Sequence, residues 1–441
     1  MTEIAQATIC PGCGARGTEN FLAFFSLKDV PVNSSALLRS AAAARECPRG
    51  RLDLTLCQEC GLIFNRSFDA SRLDYDEAYD NALDFSPTFQ VYAEKLAERL
   101  RQRYQLRNKR IIEIGSGRGG FLELLAMHGE NHCIGYDPAF DPAAARVGGS
   151  SAVRFVQDYY SERYAHEPVD FLVCRHVLEH MPEPLAFLSG LRRALGAQGE
   201  VSLYFEVPNA LQLLNGPSLW DVIYQHVLYF TAESLRAVFG RAGFDLLDSG
   251  LAFLDQYLWV EARTASPSRK ASSAGQASGL PVSQLARRFA DRFRDTLDLW
   301  GEALRQWQAE GKRIVLWGAG TKGVTFLNTV DGAQAIGAVV DLNPRKQGMC
   351  VPGTGQRISA PVELTRKPAE VAIVLNPAYV REVGAMLEQL HVPAEMATFA
   401  TVSRGRKPPR KMDRQRLVGE ALHMGADMGD TESWRERGPL R

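Results

Sequence analysis

Short apolar runs alternate with amphipathic stretches between residues 111 and 262. The runs at 111–114, 132–136, 153–156, 170–174 and 200–206 have the length and the branched or aromatic content of buried strands, with helical spacing between them. Such alternation predicts a parallel, doubly wound α/β sheet, whose ligands bind beyond the carboxyl ends of the strands. Further on, Leu285, Phe289, Phe293, Leu297, Trp300, Leu304 and Trp307 recur at helical spacing and predict one amphipathic helix. It leads into another strand-like run, "RIVLW".

Composition shifts mark the boundaries. The Ser/Ala/Gly-rich stretch 264–281 reads as a flexible linker. Beyond Ser403 charges dominate and large apolar groups are few, so a mobile tail is expected. The chain therefore divides into an N-terminal module over 1–85, a doubly wound domain over 86–263, linker and helix over 264–310, a second α/β unit over 311–402, and a tail over 403–441. Its 441 residues are too many for one core, and no repeat of fixed period is present.

Lys+Arg and Asp+Glu both total 51, a balance that gives no electrostatic reason to expect nucleic acid or an anionic membrane as partner. No apolar run approaches transmembrane length. "MTEIAQATIC" lacks a basic segment followed by an apolar one, so no secretory signal is expected and the cytosol is the predicted location.

Four of the eight cysteines sit in two pairs, "CPGC" (Cys10, Cys13) and "CQEC" (Cys57, Cys60). Two such pairs in one segment predict a tetrahedral four-thiolate zinc site, closed and hence structural, with Gly14 and Gly61 forming the sharp turns. A redox pair is the rival reading. Cys47, Cys133, Cys174 and Cys350 read as ordinary thiols.

The stretch "IIEIGSGRGGFLELL", 111–125, has the grammar of strand, glycine turn and helix. Gly115 and Gly117 let backbone approach a ligand, and Asp137, at the end of the next strand, is placed to take ribose hydroxyls. A second turn of the same kind, Gly318, Gly320 and Gly323, follows "RIVLW", with Asp341 at the next strand end. Alone, that second turn suggests a dinucleotide.

The segment "DFLVCRHVLEHMPEP", with His176, Glu179 and His180 just past a strand end, resembles the fourth-strand motif of class I methyltransferases. That resemblance implies S-adenosylmethionine in the first turn, with Asp158 of "FVQDYY" near the adenine. The likeness extends further. "CPGC…CQEC", "VPVNSSALL", "YDEAYDNALDFSP", "VLEHM", "DVIYQHVLYFTAESLRAVFGRAGF" and "VVDLNPRKQGMCVPGTGQRI" together resemble sugar C-methyltransferases acting on nucleotide-linked deoxysugars, up to about residue 400.

The family likeness implies an acceptor site lined by Tyr79, His180, Gln225 and His226. His226 would remove the α-proton of a keto sugar, while His180 and Tyr79 position the acceptor and its developing oxyanion. Gln225 stands where the family carries glutamate, and the segment lacks an extra histidine often found before the pair. Glutamine orients but accepts no proton, which leaves O- or N-methylation as an alternative and a non-catalytic binding protein as a third. The family likeness also places the C-terminal unit over the cleft, holding the nucleotide. Lys322 and Asn376 lie where a phosphate could be met, although Lys322 is expected on the solvated surface.

Overall fold

The computed structural model describes residues 8–73, 79–127, 129–140, 152–196, 198–216, 218–264 and 282–403. Apart from Thr264 and Ser403, the expected linker and the expected tail lie outside them.

Among the described residues the chain forms three sheets. The first holds β1 (Phe21–Pro31), β2 (Arg49–Cys57), β3 (Ile63–Asn65) and, from much later in the chain, β9 (Leu228–Tyr229). All its pairings are antiparallel, and Ile63 lies opposite Tyr229. The backbone N–H of Asn65 also donates to the Val227 carbonyl at 2.8 Å, so the N-terminal sheet grips the residue next to His226.

The second sheet comprises β4 (Arg110–Ile114), β5 (His132–Tyr136), β6 (Val153–Val156), β7 (Phe171–Arg175), β8 (Ser202–Pro208), β10 (Phe244–Ala252) and β11 (Tyr257–Thr264). Its order is β10-β11-β8-β7-β4-β5-β6. Strands β4 to β8 run parallel, and β11 and β10 add antiparallel at one end. The buried runs Ile111–Ile114 of β4 and Phe171–Arg175 of β7 sit centrally because helices cover both faces. Chain order reverses between them, so the carboxyl ends of β4 and β7 form the crevice that ligands favour.

The third sheet, all parallel, is ordered β14 (Ile358–Ser359), β13 (Ala338–Val340), β12 (Ile314–Trp317), β15 (Val371–Val374) and β16 (Glu395–Ala397). Its own reversal lies between β12 and β15. The apolar periodicity after 282 forms the helix Val282–Ala309, which buries Phe289, Phe293, Trp300, Leu304 and Trp307. Phe289 packs on Phe25 of β1, and Trp300 packs edge-on to Phe326 of the C-terminal unit, at centroid distances of 4.9 and 5.1 Å. One helix thus ties the first and third sheets into a common core. No described helix is long and apolar enough to cross a membrane.

Candidate active site

Both crevices open into one cavity of about 830 Å³. At its floor β4 runs into the glycine turn, where Gly115 and Gly117 have φ of 72° and 52°, the left-handed region that glycine enters freely. A Cβ on Gly115 would meet a Val177 methyl at 2.1 Å, whereas one on Gly117 would meet nothing within 4 Å. Asp137, following β5, accepts the Gly117 and Ala139 N–H groups at 2.8 Å each. Burial raises its pKa, and those two donors work against the rise. Among the described residues only backbone donors meet this carboxylate, so lone pairs remain for hydroxyls in the cavity. Asp158, after β6, also lines the cavity but is held by the Tyr164 hydroxyl at 2.5 Å and by an ion pair with Arg163. These residues fit the adenosyl and methionyl parts of S-adenosylmethionine: a close-approach turn with a ribose-type carboxylate one strand over.

Beneath the turn lies a charged group that the sequence did not announce. Glu206 of β8 is fully buried and accepts from Arg175 at 3.2 Å, from Tyr204 at 2.8 Å and from Tyr92, while His176 Nε2 stands 3.1 Å from it without hydrogen-bond geometry. Burial alone would raise its pKa, but Arg175 and His176 hold it down to about 2. His176 takes a left-handed φ of 55°, turning its ring onto Glu206 and Tyr257. Glu113 of β4 is also buried, and burial pushes it up to about 8. The available signal was charge inside an otherwise apolar strand run, as in "IIEI", "FLVCR" and "LYFEVP".

Above this floor stand the four residues expected to handle the acceptor. Tyr79, His180 and His226 line the cavity. The His180 and His226 rings are 5.0 Å apart, edge to face. Burial lowers His180 to about 4 and takes His226 well below its usual value, so both rings are neutral at pH 7. Burial, then the carboxylates of Asp137 and Glu179, raise the Tyr79 phenol. Gln225 faces elsewhere. Its side chain accepts from Ser34 N at 2.9 Å and from the Ser34 hydroxyl at 2.5 Å, and it donates to Asn33 at 3.3 Å, within "VPVNSSALL". What Gln225 offers the site is its carbonyl, which accepts from His180 Nδ1 at 2.9 Å. Glu179, close to His180 and His226, is 1% exposed, and neither of its oxygens has a hydrogen-bond partner among the described residues.

The roof comes from the C-terminal unit. Gly318 has φ of 99°, and Asp341 accepts the Ala319 N–H at 2.7 Å, repeating the geometry of Gly117 and Asp137. Lys322 is not the solvated lysine expected. Its side chain is 19% exposed and its Nζ lies 2.5 Å from both oxygens of Asp221, a pair at the cavity between the helix Thr321–Thr329 and the short turn Leu219–Asp221. Asn376 likewise reaches across, donating to Gln256 at 3.0 Å. Glu382 accepts from Ser86 and from Thr88 N at 2.6 and 2.9 Å, at the start of the helix Pro87–Tyr104.

The four paired cysteines converge outside this cavity. Cys10 and Cys60 sulfurs are 3.6 Å apart, as are those of Cys13 and Cys57. A tetrahedral thiolate zinc with bonds of 2.3 Å spaces its sulfurs about 3.8 Å apart, so the cluster fits such an ion. Each pair forms the same knuckle: Gly14 N–H donates to Cys10 and Gly61 N–H to Cys57, both at 2.9 Å, with φ near 75° at each glycine.

Family profiles match in two places: "Methyltransferase domain" over 88–249 and "C-methyltransferase C-terminal domain" over 261–397. No curated protein matches the chain. Among solved structures, the magnesium protoporphyrin IX methyltransferase of Synechocystis, with bound S-adenosylhomocysteine, is 17% identical, covering 40% of this chain and 84% of its own, at a TM-score of 0.32. The 1,6-didemethyltoxoflavin-N1-methyltransferase of Burkholderia thailandensis is 19% identical over 41% and 82%, at 0.30. A SAM-dependent methyltransferase from Aquifex aeolicus is 17% identical over 42% and 100%, at 0.31. Likenesses this slight carry no weight about the acceptor. The chain thus carries a methyltransferase domain over 88–249 followed by a C-methyltransferase C-terminal domain over 261–397, and it is a methyltransferase.

Proposed function

We propose that the protein methylates a carbon of a nucleotide-linked keto-deoxysugar through an enolate. The observation that carries this reading is the match of residues 261–397 to a C-methyltransferase C-terminal domain, whose glycine turn roofs the cavity built on the methyltransferase turn. Bound S-adenosylmethionine supplies a methyl group already activated on sulfonium sulfur. Gly115, Gly117, Asp137 and Asp158 hold it, and Cys10, Cys13, Cys57 and Cys60 hold a structural zinc. The division at 85, 263, 310 and 402, with a substrate-holding C-terminal unit and action in the cytosol, belongs to the same reading.

The remaining work falls to the chain's own side chains. His226, kept neutral by burial, offers a lone pair to the α-proton of the acceptor. His180 and Tyr79 position the acceptor, and the Tyr79 phenol, held protonated, donates to the oxygen on which enolate charge develops. Gln225 orients by hydrogen bonding, its carbonyl fixing the His180 tautomer while its side chain pins the loop at Ser34. A second reading, O- or N-methylation, is favoured by that same commitment of Gln225, because such acceptors need one base or none.

Incubation with methyl-labelled cofactor and a panel of keto-sugar nucleotides in heavy water separates the two. Carbon methylation predicts exchange of the α-proton that is lost in His226→Ala. Label on oxygen or nitrogen without exchange would sink the enolate route.

A further inference from the structure

Glu179, His180 and His226 each offer one donor atom, and the three atoms lie within 4.8 Å of one another. Glu179 is almost fully enclosed, and among the described residues neither carboxyl oxygen has a hydrogen-bond partner. Its neighbour His176 Nδ1 stands 3.8 Å away, beyond hydrogen-bond range. His226 is 8% exposed and leaves a buried Nδ1 unpartnered. His180 differs, because its Nδ1 meets the Gln225 carbonyl, which can only accept. Nδ1 therefore carries the proton, and Nε2 carries the lone pair.

A histidine whose outer nitrogen is fixed by a backbone carbonyl is the usual setting of a metal-ligating imidazole. Orphaned buried oxygens and nitrogens are costly, and a cation between them removes that cost. We propose that Glu179, His180 and His226 bind one divalent transition-metal ion inside the cavity, separate from the cysteine cluster.

Two imidazoles and one carboxylate suit manganese through zinc better than magnesium or calcium, which prefer oxygen throughout. An ion with bonds of about 2.1 Å spaces its donors about 3–3.5 Å apart, so each side chain closes by about 1 Å at most. Three protein ligands leave coordination positions open toward the acceptor. The inference rests on this cavity being the methyltransferase site, not on the acceptor atom. The ion would take the His226 lone pair that the enolate route assigns to the α-proton, so that route belongs to the metal-free cavity.

The test uses cobalt(II) on the full chain carrying its cysteine-bound metal, after dialysis against a mild chelator. One further equivalent should bind with visible ligand-field absorption and no thiolate-to-cobalt charge-transfer band. Glu179→Gln and His226→Ala should each weaken that binding by about tenfold or more, since even outer-shell changes cost 10- to 100-fold. Cysteine-bound metal and S-adenosylhomocysteine binding, kept as in the parent, show that the variants fold. No second equivalent, a purely thiolate spectrum, or unchanged affinity in Glu179→Gln with the homocysteine product still bound would overturn the site and leave the methyltransferase reading intact. Loss of product binding in the parent would instead strike that reading.

Discussion

Alanine at Gly117 separates the cofactor turn's role in folding from its role in binding. At φ of 52° an alanine pays about 1–2 kcal/mol for left-handed backbone. No packing cost joins it, because the new Cβ meets no atom within 4 Å and points into space bordering the cavity. Gly117→Ala should therefore lose only that backbone cost in stability, yet raise the S-adenosylhomocysteine Kd by about tenfold or more, worth about 1.4 kcal/mol. Gly115→Ala is the comparator. Its φ is 72° and its Cβ would sit 2.1 Å from a Val177 methyl, so about 1–3 kcal/mol of overpacking adds to a similar backbone cost. It should lower thermal stability visibly before any ligand is added. Calorimetric titration with the homocysteine product, beside thermal melts of both variants, reads the two effects. If Gly117→Ala binds the product within twofold of the parent at the expected small loss of stability, this turn is not the cofactor cradle.

Two further expectations follow from the geometry. Cys57→Ser should drop bound zinc well below one per chain and lower the melting temperature, since metal-binding free energy is folding free energy in such modules; a metal-free variant of unchanged stability would refute the structural role. Asp170 is held at about 2 by its hydrogen bonds to Arg110, so it stabilises the fold above the unfolded value near 4 and loses that contribution as pH falls through about 2. The pair is partly exposed, so Asp170→Asn should cost only about 1 kcal/mol at pH 7 and less toward pH 2; a cost that grows on acidification contradicts the sign.

What could be read from the sequence was local. The expected strands 132–136 and 153–156 coincide with β5 and β6, and 170–174 is displaced from β7 by one residue. Buried strands announce themselves through contiguous branched residues, and glycine turns through positions only glycine can fill. Pairing between distant segments left no such mark. Strand β9 is two residues long and forms because β3 offers it an edge. Gln225 was read as a departure within the acceptor site, but its side chain follows Ser34 and Asn33, partners almost two hundred positions earlier. Lys322 was read as solvated because nothing near it in sequence carries the charge that Asp221 supplies across the cavity. Glu206 and Arg175 were legible as anomalies in apolar runs, but their pairing needed the parallel register of β7 and β8.

The addition of β9 to the N-terminal sheet also bears on synthesis. The four cysteines are all made more than 160 residues ahead of Leu228–Tyr229, so the metal knuckles can close before that strand exists. The sheet they brace cannot finish then, because its last strand is Leu228–Tyr229. Until that segment emerges, β3 presents unpaired backbone groups to any passing strand. When it does arrive, pairing of Ile63 with Tyr229 places the segment next to His226 and covers the β3 edge in one step, so that edge stays open until the acceptor site is assembled.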